Sequence, residues 1–263
     1  MKMLKPLWAY RGFILGSVKR EFQFRYQESL IGSAWAVINP LAMIVVYTVI
    51  FSQVMRTRLP GVDSSFAYSI YLCAGLLSWG LFSEIALRAQ NIFLENANLL
   101  KKISFPRLCL PVVVVINALL NFFVIFGLFT VFLLLSGNFP GLTYLALAPL
   151  LLLLVALAIG LGVTLGVLHV FFRDVGQFFG IVLQFWFWFT PIVYPSSILP
   201  PQAQYLLSFN PMAALIAGFQ TALVARQWPD WSSLAYPALL ATLLCLLGVH
   251  LFARHAGDMV DEL

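Results

Sequence analysis

Between Leu108 and Phe172 the chain reads LCLPVVVVINALLNFFVIFGLFTVFLLLSGNFPGLTYLALAPLLLLLVALAIGLGVTLGVLHVFF, without one Asp, Glu, Lys or Arg. A helix needs about 20 apolar residues to cross the hydrocarbon core of a bilayer. The stretch is long enough for two crossings. Gly137-Asn138-Phe139-Pro140-Gly141 interrupts it, and glycine with proline makes a turn. The sequence therefore predicts one span near 110–136, a second near 143–170, and a tight connection between them. The fold class that follows is an all-α integral membrane protein.

The rest of the chain agrees. Of its 263 residues, 62% are hydrophobic and only 10% charged, with a mean hydropathy of +0.94; an ordinary soluble domain has roughly 25% charged residues. Polar residues must cover a soluble globule, so this composition excludes a soluble enzyme, a disordered chain and a disulfide-rich secreted domain. Further uncharged gaps run from Glu28 to Arg56, Asp63 to Glu84, Asp174 to Arg226 and Asp230 to Arg254. They predict spans near 31–55 (with Pro40 as a kink), 64–87, 176–190 and 232–253, six in all within a transmembrane unit over 31–253. Pro191, Pro195, Pro200, Pro201 and Pro211 break the stretch that follows the fifth span. Irregular backbone at membrane depth needs protein or water around it. Residues 195–225 are read as two short re-entrant periplasmic helices. A seventh span there is the other possibility.

Residues 1–30 carry Leu7, Tyr10, Ile14, Val18 and Phe22 at helical spacing, with Arg11 and Arg25 close to the stripe. An amphipathic interface helix is expected, with Lys19 and Arg20 toward headgroups. The segment 91–107 is too polar to cross a bilayer yet keeps the apolar spacing of a short helix. Residues 254–263 form a short tail, with no carbohydrate-binding domain expected after the last span. No secretory signal peptide is evident, so the first span is expected to act as the insertion signal.

Lys and Arg fall 12 on one side of the six-span arrangement and 3 on the other, Arg56, Arg58 and Arg226. By the positive-inside rule both termini are cytoplasmic. The net charge of +5 is spread along the chain and reads as topology, with no nucleic-acid partner. Cys73, Cys109 and Cys245 lie far apart in or beside apolar stretches and read as packing residues. His169, His250 and His255 do not pair with carboxylates at metal spacing, and no Gly-Lys pair exists from which to build a phosphate-binding loop. No catalytic residue, metal site or cofactor is expected on this chain. Glu84 and Arg88, four residues apart on one helix, read as a local ion pair. Active transport therefore needs energy from a partner. The run Phe185-Trp186-Phe187-Trp188-Phe189 fits an interfacial aromatic belt. It fits equally a pore lined by aromatic faces, on which sugar rings slide; the channel candidates are Trp35, Tyr47, Phe51, Phe185, Trp186 and Trp188.

Four stretches carry a resemblance: Arg25-Tyr26 through Gly32, Trp35 and Pro40; Leu94-Glu95-Asn96 through Lys101-Lys102 with Phe105-Pro106-Arg107; Phe171-Phe172-Arg173-Asp174-Val175; and Phe187 through Pro195, with Ile198-Leu199-Pro200 and Asn210-Pro211. In order and spacing the chain resembles the permease subunits of bacterial polysaccharide ABC exporters, most closely the type-2 exporters of O-antigen, capsule and teichoic acid. The resemblance implies a homodimer in the inner membrane, two copies of a separate ATPase that uses ATP and Mg, and a glycan on undecaprenyl diphosphate as cargo. It implies ATPase coupling through the N-terminal helix and through Glu95, Asn96, Leu99, Lys101, Lys102 and Arg107. For the last three, positive-inside anchoring is an equally good account. It also implies contact of Arg25, near the membrane interface, with the lipid diphosphate, and of Arg173 and Asp174 with the lipid diphosphate or the ATPase, a plain helix-end pair being the other reading of Arg173 and Asp174. Gly32 and Trp35 would pack the approach to the first span. Pro191, Tyr194, Pro195, Asn210 and Pro211 would form the periplasmic gate.

Two other readings compete. A type-2 permease for a small hydrophobic molecule or lipid would show a closed lateral pocket. A membrane enzyme acting on lipid-linked sugars would need paired carboxylates, and Asp63, Glu84 and Asp230 offer none by spacing.

Overall fold

A computed structural model describes residues 10–26, 34–50, 66–102, 109–255 and 257–262. Among them the chain forms helices and turns only: α1 (Arg11–Tyr26), α2 (Trp35–Thr48), α3 (Ala67–Glu95), α4 (Ala97–Lys102), α5 (Cys109–Leu135), a 3-10 turn (Gly141–Ala146) leading into α6 (Leu147–Phe171), α7 (Asp174–Trp188), α8 (Pro201–Leu207), α9 (Pro211–Gln220) continued by a π turn (Thr221–Ala225), α10 (Ala235–His255) and α11 (Asp258–Glu262). Four helical stretches, Ala67–Glu95, Cys109–Leu135, Gly141–Phe171 and Ala235–His255, are long and apolar enough to cross a bilayer. The pair Pro201–Leu207 and Pro211–Ala225, bent by 98°, makes up to five. The protein is a multi-pass membrane protein. At 14 and 15 residues, α2 and α7 are shorter than a full crossing.

α3 is the axis of the bundle, and α5, α6 and α9 pack around it. Its buried residues run from Ala67 to Phe93 and include Phe82, Ile85, Ala86 and Ala89, none of which is exposed at all. Lipid gives helices no hydrophobic reason to associate, so close backbone packing must hold them. Gly162 and Gly166 of α6 provide it. A Cβ on Gly162 would lie 2.6 Å from the Ala89 Cβ and 2.9 Å from the Ala86 carbonyl oxygen, and one on Gly166 would lie 2.8 Å from the Ala89 carbonyl oxygen. The opposite side of α6 meets α10 in the same way: a Cβ on Gly160 would sit 2.8 Å from the Cys245 amide nitrogen. Thr164 crosses that seam, donating to Gly160 O at 2.8 Å and Leu244 O at 3.3 Å. All three cysteines are free, and Cys73 and Cys109 are buried.

The helix ends sort into two groups. At one end, Thr143 donates to Ala222 O, Tyr68 to Val193 O, and Arg226 to Gly137 O. Gly137 and Gly141 take φ of +69° and +72° in the turn between α5 and α6, where a side chain would strain. At the other end, His169 Nδ1 lies 3.4 Å from Gln90 O, and Phe93 stacks on Phe252 at 5.4 Å between ring centres. So α3, α6 and α10 run one way, and α5 and α7 run back. α3 continues through Glu95, past residue 87, because its polar last turns have already left the apolar layer. Asn96 ends it, its side chain donating to Ile92 O, and α4 follows at once.

α1 does more than float on headgroups. Ile14 and Val18 are each only 7% exposed and join an apolar cluster with Phe93, Val114 and Val167. The spacing of four that predicted an amphipathic helix is the spacing that lets this pair insert.

Candidate functional site

The irregular segment after α7 is built by hydrogen bonds from three helices. Tyr71 of α3 donates its hydroxyl to Pro191 O at 3.0 Å and reaches Tyr194 O at 2.9 Å, while Tyr68 bonds Val193 O and Gln220 Nε2 donates to Pro191 O. Asn210 closes the arrangement from below α9. Its Oδ1 accepts from Trp186 Nε1 at 2.8 Å and from the Met212 amide at 3.0 Å; its Nδ2 donates to Thr190 Oγ1 at 3.0 Å and Phe189 O at 3.2 Å. Asn210 is thus the N-cap of α9, and Pro211, which needs no hydrogen-bond partner for its nitrogen, takes the first helical position. These bonds satisfy carbonyls that leave the helix inside an apolar environment, where an unpaired one is costly. Replacing Tyr71 by phenylalanine is expected to leave Pro191 O with Gln220 Nε2 alone and Tyr194 O without the hydroxyl, at a cost of about 1–3 kcal/mol. Thermal unfolding of the detergent-purified protein would read it as a lowered midpoint.

The aromatic run next to this turn divides by face. Trp186 points inward, edge-on to Trp79 and Phe82 with ring centres 6.1 and 5.3 Å apart. Phe187 meets Trp79 beside it. Phe185 and Trp188, each 60% exposed, continue an outer stripe with Phe178 and Ile181. Trp35 is exposed on α2, and Tyr47 is half-buried against α3 and α5. Phe51 lies outside the described residues.

At the opposite end, Glu95 and Lys101 are exposed and Asn96 and Leu99 half-buried around the α3–α4 break. Leu100 beside them anchors α4 in the cluster that holds Phe93 and Met259. Arg173 and Asp174 are exposed at the α6–α7 corner, Asp174 in the first turn of α7, where a carboxylate suits the helix dipole. Arg107 and the side chains of Arg25 and Lys102 lie outside the described residues. The structure thus gathers the exit-turn residues into one hydrogen-bonded unit, while Arg173 and Asp174 form a separate corner.

One polar cluster went unread in the sequence. Arg88 pairs with Glu84 one turn away at 3.6 Å, as the spacing suggests, but it also meets Glu21 of α1. The second oxygen of Glu21 accepts from Asn117 Nδ2, and Asn121 Nδ2 donates to Glu84 Oε2 at 3.1 Å. The available signal was Asn117 and Asn121, two amides four residues apart inside an otherwise apolar span. Above the cluster a cavity of about 270 Å³ opens between α2, α3 and α5, bounded by Ile44, Tyr47, Cys73, Gly80, Glu84 and Asn121 among others. Among the described residues, no three His, Cys, Asp or Glu side chains gather as a metal site would require.

Residues 14–224 match the family model described as ABC-2 type transporter. The chain belongs to that family. It is similar along its whole length to the O-antigen export system permease protein RfbA of Myxococcus xanthus, at 26% identity over 100% of both chains. A protein of the same name from Klebsiella pneumoniae is 31% identical over 76% of each chain. The polysialic acid transport protein KpsM of Escherichia coli is 23% identical over 92% of this chain and 93% of its own. For an ABC-2 type transporter, the exit turn and the α3–α4 break occupy opposite ends of the bundle, joined by the continuous helix α3.

Proposed function

We propose that this chain is the permease subunit of an ABC exporter for a lipid-linked polysaccharide of the O-antigen kind, driven by a separate ATPase. The observation that carries the reading is the end-to-end similarity to an O-antigen export permease, with no part of either chain left over. Six spans are assigned: the one that contains α2, then α3, α5, α6, α7 with its exit turn, and α10. α8 and α9 then form the re-entrant gate, which their 98° bend supports. Among basic residues with described side chains, Arg11, Lys19, Arg20, Arg88, Lys101, Arg173 and Arg254 belong to the end that holds the α3–α4 break, and Arg226 to the other. That bias supports cytoplasmic termini in the inner membrane. Two copies would enclose the channel, with Trp35 of α2 and the outer aromatic stripe of α7 toward the glycan. Two ATPases would dock against α1 and α4, hydrolysing ATP with Mg. Arg25, Arg173 and Asp174 would meet the lipid diphosphate.

The test is co-expression with a candidate ATPase subunit from the same genome. Purification is expected to give a 2:2 complex that hydrolyses ATP, and cells lacking the permease should retain lipid-linked glycan inside. A chain that never holds an ATPase overturns the assignment. The cavity of about 270 Å³ favours a second reading, export of a small hydrophobic molecule. In that case hydrophobic compounds, and not lipid-linked glycan, would stimulate the complex.

A further inference from the structure

Glu21 makes an unusual connection. It is on the N-terminal helix, yet its two carboxylate oxygens reach two different spans, Arg88 of α3 and Asn117 of α5. The apolar grip of α1 is Ile14 and Val18. Such contacts tolerate sliding, because dispersion and burial are non-directional. A carboxylate held by a guanidinium on one side and an amide on the other is directional and fixes one register. The cluster also contains its own fallback. Arg88 already touches Glu84 on its own helix, and Glu84 is held by Asn121. If Glu21 withdraws, the guanidinium keeps a carboxylate. The Glu21 side chain is 43% exposed, so water can take up its carboxylate on withdrawal, whereas buried Asn117 loses its acceptor. Two arrangements are thus open to the cluster, and the Asn117 bond favours the closed one.

We infer that Glu21, Arg88 and Asn117 form a releasable latch that keys α1 to the α3–α5 seam, so that a shift of α1 is passed to the two spans that wall the cavity bounded by Glu84 and Asn121. Glu21 and Arg88 act as positioning residues. The coupling half of this inference rests on the export reading, in which an ATPase moves α1. The attachment half does not.

The experiment uses E21R, R88E, the charge-swapped double variant E21R/R88E, and the milder E21Q. Amide hydrogen exchange over residues 10–26 is measured in the purified permease. Export per ATP hydrolysed is measured in the permease–ATPase complex. Each single reversal is expected to speed exchange in α1 and to lower export per ATP, both about tenfold, the scale of losing a hydrogen bond to a charged group. ATP hydrolysis is measured in the same preparations, so that export per ATP is read independently of the hydrolysis rate. E21Q gives a smaller effect of the same sign, and the double swap recovers part of both readouts, because it re-forms the charge pair but strips Asn117 Nδ2 of its acceptor and sets a second carboxylate beside Glu84. Single reversals that leave exchange or export per ATP unchanged overturn the latch, as does a double swap no better than its parents. A wild-type complex that moves no glycan overturns the export reading instead. The exchange measurement still decides whether Glu21 holds α1.

Discussion

Substituting leucine for Gly162 is expected to abolish the folded permease. A single added carbon there would already stand 2.6 Å from the Ala89 Cβ, 2.9 Å from the Ala86 carbonyl oxygen and 3.2 Å from the Ala86 Cα. Two of these are backbone atoms of the central helix, so no rotamer change relieves the clash. α6 must lift off α3, and in lipid the lost contacts are not recovered by burying apolar surface elsewhere. Overpacking a core by a methylene or two costs about 1–3 kcal/mol; a leucine against backbone should exceed about 4 kcal/mol. Size-exclusion chromatography of a fluorescent fusion should show the monodisperse peak lost. The companion is Gly127→Ala on α5, where an added Cβ meets nothing within 4 Å. There the gain in helix propensity should raise stability by up to about 1 kcal/mol. If Gly162→Leu elutes like wild type, α3 and α6 are not in contact as described.

The second large effect is expected at Asn210. Leucine has the same number of side-chain heavy atoms and the same branching but makes none of the four hydrogen bonds. The Trp186 indole and the Met212 amide lose their acceptor, and Thr190 and Phe189 lose a donor. A lost helix cap costs about 1 kcal/mol and each unsatisfied partner about 1–3 kcal/mol, so the sum should reach about 3 kcal/mol even with part of the site in contact with water. Trp186 would then be free to leave Trp79 and Phe82. Asn210→Asp provides the graded control. It keeps both accepted bonds and loses the two donated ones, so its unfolding midpoint should fall between wild type and Asn210→Leu. Equal midpoints for aspartate and leucine would mean that the indole bond contributes nothing.

These sites differ in how far the sequence announced them. The apolar layer was legible because charges stop at its edges: the uncharged run from Leu108 to Phe172 became α5 and α6, broken at Gly137–Gly141. Asn210-Pro211 was legible as a helix start, since an N-cap followed by proline is a local signal. The partners of Asn210 were not, because they lie 20 to 24 residues away across a turn. Facing was harder still. Five consecutive aromatics cover every side of a helix, and only packing against Trp79 and Phe82 separates Trp186 from Phe185 and Trp188. Glu21 and Arg88 stand 67 residues apart. Spacing along one helix finds a local pair such as Glu84 and Arg88, never the third member brought in by tertiary structure. Gly162 and Gly166 belong to the same class of signal as the asparagines of α5: a four-residue repeat of small or polar groups hidden in a uniformly apolar run.

The shortness of α7 has a consequence for the membrane itself. Fifteen residues rise about 22 Å, against a hydrocarbon layer of about 30 Å. The difference is a hydrophobic mismatch of roughly 8 Å, and each ångström of mismatch costs a fraction of a kcal/mol. Wherever lipid borders so short a helix, the bilayer must thin to meet it. If the outer stripe of Phe178, Ile181, Phe185 and Trp188 faces the cargo, as proposed above, the cargo would cross a dielectric barrier narrowed by about a quarter.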